Sequence, residues 1–342
     1  MKNRFYVHLV RLFGIAAIIA VIGFSFAACG GDDGGGGGGG GKGKWTAVTN
    51  SPFNEEDSYI NAIAYGGGKF VIGGNKGKMA TSSDGVTWTA VETSVFGTYA
   101  IGAIAYEGDK FVAVGWNGKM AYSFDGVNWT AVTSTTFGTT TIRAIAYGGD
   151  KFVAVGRDGK MAYSADGTSW TAVTSTTFGT NEIHAIAYGG DKFVATGGDG
   201  KIAYSSDGTS WTAITDTDNI LGTGIIGCIA YGGGKFVASG FSSGVIYSSD
   251  GINWAKVADS KCTFTDHAIT YGNGKFVASG QSKGDPGWYL TIAVTSSDGI
   301  NWTITGETTF GSSSNHIRAI AYGSNKFVAV GDKGKIAYSS GL

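Results

Sequence analysis

Residues 162–173 read Ala-Tyr-Ser-Ala-Asp-Gly-Thr-Ser-Trp-Thr-Ala-Val, and this frame decides the fold because the chain keeps returning to it. An Asp-Gly pair with Trp three residues after the Gly recurs at Asp84, Asp125, Asp166, Asp207, Asp250 and Asp298. From Trp88 to Trp129, to Trp170 and to Trp211 the step is 41 residues each time. A constant period of that size marks a stack of like supersecondary units, not a string of unlike domains.

One repeat reads as four strands. Residues 142–147 (Ile-Arg-Ala-Ile-Ala-Tyr), 151–155 (Lys-Phe-Val-Ala-Val), 160–163 and 170–173 are short apolar runs bounded by Gly and Asp turns, a strand signature. Four antiparallel strands per unit of about 40 residues predict a β-propeller blade. First strands are expected at 60–65, 101–106, 142–147, 183–188, 226–231, 267–271 and 317–322, so the fold is read as all-β, a seven-bladed propeller. The ends of the array complement each other: residues 45–48 (Trp-Thr-Ala-Val) form a fourth strand with no first three, and 317–340 supply three strands without a fourth. The N-terminal strand 45–48 is therefore expected to close the last blade, leaving no open face.

Sixty glycines beside 42% hydrophobic and 13% aromatic residues read as punctuation between buried strands, not as disorder. Charged residues are only 15%, which fits strands covered on both faces. With Lys2, Arg4 and Arg11 set aside as part of a leader, 22 basic residues face 26 acidic ones, a balance of −4. A mildly acidic body without a basic stripe argues against nucleic-acid binding.

That leader occupies residues 1–28: three basic residues, an apolar run over 12–26, then small residues before Cys29. The layout is that of a secretory signal, too short to span a membrane as a helix. Phe26-Ala27-Ala28-Cys29 resembles the lipobox of bacterial lipoproteins, with Phe26 where that family usually has an aliphatic residue. The resemblance implies lipidation of Cys29 and a cell-envelope location, at the outer membrane or cell surface. Residues 29–44, with an unbroken glycine run over 34–41, are expected to be a flexible tether to a propeller over 45–342.

The run Ser82-Ser83-Asp84-Gly85-Val86-Thr87-Trp88 resembles the Asp box (BNR repeat) of sialidases and other secreted propellers, though it lacks the residue between Asp and Gly. The resemblance implies a structural turn, remote from any catalytic mouth. The residues agree: the carboxylate can accept turn N–H groups, Gly can take φ > 0, and Trp can pack between blades. Asp84, Asp125, Asp166, Asp207, Asp250 and Asp298 are accordingly read as structural, and no metal or cofactor site is expected. The lysines that open each second strand, Lys69 to Lys326, read as solvated edge charges. Cys228 and Cys262 read as two thiols, although an exported chain could bridge them.

The repeats diverge at three places: the turn after strand two, the link into the next blade, and the second residue of strand one. All three are expected on one rim of the ring. The second residues are Asn61, Gly102, Arg143, His184, Gly227, His267 and Arg318, and nearby turns carry Trp116, Arg157, Phe241, Trp288 and Tyr289, the last two within an insertion over 281–290. All three arginines of the body fall here, as do its histidines, counting His316. Aromatic platforms beside Arg and His at a concave mouth are the material of a binding site. The expected function is a monomeric, non-catalytic envelope lipoprotein that binds a glycan or a surface protein. A sialidase-like hydrolase and a structural or assembly-factor propeller are the alternatives. The three arginines favour the hydrolase, but no Tyr can be paired with Glu182 as its nucleophile dyad.

Overall fold

The computed structural model describes residues 28–29, 45–53, 58–92, 95–215, 223–240, 244–258, 268–283, 289–312, 315–339 and 341–342. The leader up to residue 27, the tether from 30 to 44, Cys262, Phe241, His267 and Trp288 lie outside them.

Seven antiparallel sheets form the body. In the third blade Ile142–Gly148, Lys151–Gly156, Met161–Ser164 and Thr171–Ala172 pair in chain order. The fourth strand is shorter than its apolar run because Trp170 turns inward before it, and Val173 adds one bond, N–H to Met161 O at 2.9 Å. Each blade's first strand packs on the next, from Ile60–Gly66 round to Ile317–Gly323, which packs back on Ile60–Gly66. The alanines at Ala62, Ala103, Ala144 and Ala185 are buried, as crowding about one axis demands. The same closeness explains a glycine: a Cβ on Gly148 would lie 2.0 Å from Cγ of Tyr188 in the next blade.

The N-terminal strand Trp45–Ala47 closes the ring. Trp45 pairs with Ser339, Thr46 with Tyr338 and Ala47 with Ala337, and Val48 N–H donates to Ile336 O at 2.9 Å. The last blade thus takes its fourth strand from the start of the propeller, as the incomplete ends of the array predict.

Blade six departs from expectation twice. Its first strand is Ile269–Gly272 instead of 267–271. The insertion over 281–290 is not a loop throughout: its flanks prolong the hairpin as Lys275–Lys283 and Tyr289–Ser296, with Lys283 opposite Tyr289. Ala28–Cys29 lies parallel to Gln281–Ser282 at the hairpin's edge.

Each Asp-Gly turn is wired alike. Asp84 Oδ1 accepts the N–H groups of Val86 and Thr87 at 2.8 Å, Ser82 Oγ accepts from Gly85 N–H at 2.8 Å, and Gly85 sits at φ 73°, where a side chain would be strained. Trp88 closes the motif with an N–H to Gly85 O at 3.3 Å. The turn also leans on the preceding blade, since a Cβ at Gly126 would come within 2.8 Å of Val71 Cγ2. Two of the recurring lysines serve this contact, which corrects their reading as solvated edge charges: Lys69 donates to Asp125 O at 2.7 Å and Lys110 to Asp166 O at 2.6 Å. The lysine reaches across because its long stem spans the gap between blades and its ammonium meets a turn carbonyl of the next one.

Hydrogen bonds from the Thr87 and Val86 amides and the Ser82 and Thr87 hydroxyls outweigh the rise from burial and hold the Asp84 carboxyl at about 2, below its usual 3.8. The other five aspartates are lowered in the same sense. A carboxylate whose folded pKa is depressed stabilises the fold above its unfolded value, and that contribution fades as pH falls through the folded value. The urea midpoint should therefore be flat near neutrality and fall steeply from about pH 4 downward. Asp166→Ala should cost about 1 kcal/mol at neutral pH and flatten the acid limb, measured by urea titration across pH.

The links between blades share an anchor that their divergence hides. Phe96, Phe137 and Phe178 are each 1% exposed, and Phe310 and Phe53 are as deeply buried. Their 41-residue spacing over Phe96, Phe137 and Phe178 is visible in the sequence. In these five links only part of the segment is thus free to vary.

Candidate functional site

The second residue of the first strand is a β-bulge. In blade three Ile142 pairs with Gly156 and Ala144 with Val155, leaving Arg143 as the extra residue, and the same shift recurs at Asn61, Gly102, His184, Gly227 and Arg318. A bulge leaves one residue outside the ladder and re-aims its side chain. That is why this position varies while its neighbours do not.

The short 3-10 turns after the second strands stand beside these bulges. Asn75–Gly77, Trp116–Gly118 and Arg157–Gly159 each pack against the first strand of the following blade. Trp116 is partly exposed there, next to the strand that carries Arg143. Bulge, turn and incoming link thus converge on one rim, where some pairings join one blade to the next and others stay within a blade.

At the junction of blades three and four, Arg143 and Arg157 both donate Nε–H to Oε1 of Glu182, at 2.5 and 3.1 Å. Burial pushes the Glu182 carboxyl up, but the Arg143 guanidinium, with His184 and Arg157, outweighs it and holds the group below its usual range. His184 stands in the same cluster: burial lowers its pKa, Glu182 opposes this and the two arginines reinforce it.

At the junction of blades seven and one, Arg318 Nε donates to Asp332 Oδ1, while His316 places its backbone N–H 3.0 Å and its Nδ1 2.9 Å from Oδ2. Burial raises the Asp332 carboxyl, yet His316 and Arg318 together bring it to about 2. Arg318 also lies 4.6 Å over the Tyr59 ring and reaches Asn61 Oδ1 at 3.5 Å. Asn61 continues the chain of contacts by donating to Ile101 O at 3.1 Å.

Of the residues marked in the sequence, Asn61, Trp116, Arg143, Arg157, His184 and Arg318 therefore lie on one rim, and Asn61 with Arg318 and Arg143 with Arg157 are in direct or shared contact. The arginines do not converge on one point: two hold Glu182 and one holds Asp332. Tyr289 opens a strand of the blade-six hairpin. Phe241, His267 and Trp288 lie outside the described residues, and Cys29 is described only through its strand pairing. Asp332 and Tyr59 are participants the repeat comparison did not mark, although Asp332 holds the same turn position as Asn75, Trp116 and Arg157. Among the described residues no three His, Cys, Asp or Glu side chains gather as a metal ion would require.

No protein-family model and no curated protein matches the sequence. Solved structures do match in fold. YCF48 bound to a D1 peptide superposes with a TM-score of 0.66 at 15% identity, covering 87% of this chain and 97% of that one. A catalytically inactive virginiamycin B lyase from Staphylococcus aureus, solved with quinupristin, gives 0.63 at 12% identity over 88% and 100%. The WD40 β-propeller domain of Doa1 gives 0.61 at 10% identity over 87% and 96%. At such identities the likeness establishes the propeller fold alone.

Proposed function

We propose that this chain is a non-catalytic binding module of the bacterial cell envelope that holds a protein segment on the diverse rim. The observation that carries the reading is the division of labour within the repeat. Blade after blade keeps the same Asp-Gly turns and core, while the bulge and turn positions differ and carry Trp, Arg and His on one rim. Aromatic and arginine side chains around a concavity are what binding surfaces concentrate. The likeness to a propeller solved with a bound peptide supports a protein ligand, and a glycan is the second reading, supported by the polar rim and by Trp116 as a stacking platform.

Catalysis is the weaker reading. A sialidase-like clamp needs three guanidiniums on one ligand carboxylate, whereas here Arg143 and Arg157 serve Glu182 and Arg318 serves Asp332. Near-identical repeats also leave little room for the unlike groups a reaction needs.

Peptide and glycan arrays probed with the wild type and with Trp116→Ala/Arg143→Ala test the reading. Specific capture should weaken at least about tenfold in the variant, about 1.4 kcal/mol; equal capture by both proteins would remove the rim as the site. The envelope location rests on Cys29. Cells fed labelled palmitate should label this protein, and Cys29→Ser should abolish the label and release the chain from the membrane fraction.

A further inference from the structure

Blade six is the only five-stranded sheet among the described residues. In blade three the second strand ends at Gly156, opposite Ile142 at the start of the first. Blade six differs on both counts. Its first strand, Ile269–Gly272, pairs along the second only as far as Ala278, and Ser279 N–H then donates to Ala268 O at 3.0 Å. The second strand nevertheless runs on past Gly280 to Lys283, paired on its outer side with Tyr289–Ser296, so the hairpin stands above the diverse rim.

The fifth strand lies beyond the point where the first has stopped. Ala28–Cys29 and Ile269–Gly272 both pair with Lys275–Lys283, whose other side is taken by Tyr289–Ser296. The added strand therefore occupies the first-strand side of the sheet, the side nearest the ring axis. Ala28 stands opposite Gln281 and Cys29 opposite Ser282, in parallel. Backbone groups of alternate residues point to the same edge of a strand, so Gln281 and Lys283 turn theirs inward as Ser279 does. In a parallel pair the bonds of one residue straddle the residue opposite it, which sets the N–H and C=O of Cys29 between Gln281 and Lys283. Pairing of this kind is made by the main chain and asks little of the sequence that is added.

We propose that the inner edge over Gln281–Lys283 is a strand-addition site. The protein segment bound on the diverse rim joins the blade-six hairpin as an extended, proline-free strand parallel to Lys275–Lys283, in the place that Ala28–Cys29 holds. This rests on the binding reading above and names the mode of recognition. An edge that accepts one strand is a template for another, and a hairpin raised above the rim offers it without opening the ring.

The test uses the full chain carrying Ala28→Pro and Cys29→Pro, which removes the N–H groups of the chain's own added strand. The probe is the acetylated, amidated and fluorescently labelled peptide of residues 24–31 with Cys29→Ser, Phe-Ser-Phe-Ala-Ala-Ser-Gly-Gly. Anisotropy should show saturable binding, and hydrogen exchange of the Gln281 and Lys283 amides should slow in the complex. The probe N-methylated at its Ser should bind at least about tenfold more weakly. N-methylation of the preceding Ala, whose N–H faces away from the hairpin, should leave binding nearly as it was. Gln281→Pro, which removes an inner-edge N–H, should abolish binding, whereas Gln281→Ala keeps the backbone and should not change it. Retained exchange protection over Tyr289–Ser296 reports that the hairpin survives the proline.

No saturable binding, no slowing at Gln281 and Lys283, equal losses from the two methylated probes, or as large a loss with Gln281→Ala as with Gln281→Pro would overturn the proposal. Array peptides that need Trp116 and Arg143 but bind Gln281→Pro as they bind the wild type would remove the strand-addition site while leaving the binding module standing. Capture of glycans and of no peptide would fail the protein-segment reading itself.

Discussion

Trp170→Ala is expected to lower the free energy of unfolding by about 3–5 kcal/mol, as large-to-small changes of a buried aromatic do. Trp170 is 8% exposed, gives its indole N–H to Gly167 O at 3.2 Å, and belongs to one buried cluster with Val112 of blade two and Phe152 and Ala162 of blade three. Its loss leaves a cavity between two blades that the turn cannot close, because a Cβ at Gly167 would already lie 2.8 Å from Val112 Cγ2. Denaturant unfolding followed by tryptophan fluorescence measures the change. A loss under about 1 kcal/mol would mean that the blades are held together elsewhere.

The second large effect is expected at ring closure. A chain starting at residue 45 should melt close to the full chain, since it loses only the glycine run and the two-residue pairing of Ala28–Cys29 on the hairpin edge. A chain starting at residue 49 should melt about 10 °C lower or fail to fold, because it loses the buried Trp45 and the ladder to Ile336–Ser339 together. Trp45 shares a cluster with Phe310 and Phe327, so its removal opens the contact between blades six and seven as well as exposing a strand edge. Calorimetry on the two truncations decides the matter. Equal melting temperatures would show that closure contributes little beyond the packing of neighbouring blades.

How much of the site could be read in advance differs from residue to residue. Arg143, His184 and Arg318 stand out in the sequence because comparison of repeats isolates the one position in strand one that changes, and the bulge is the physical reason it is free to change. Asp332 occupies an equally variable turn, but its importance comes from a partner in its own blade's bulge, Arg318, 14 residues away, which comparison of repeats does not reveal. The blade-six insertion was legible as extra length and not as a taller hairpin, because strand pairing there depends on neighbours and not on a period.

The blade, the number of blades and the way the ring shuts are legible in the order of residues alone. The blade and the blade number follow from apolar runs, turn residues and a fixed period of about 40 residues, and the closure from the complementary incomplete ends of the array. Which charges meet emerges only once the blades are packed. Arg143 and Glu182 are 39 residues apart and Arg318 and Asn61 are 257 apart, and each pair is brought together by the packing of one blade on the next. Electrostatic pairing depends on distance in space, which a repeating pattern sets for the backbone but not for the side chains that break the pattern.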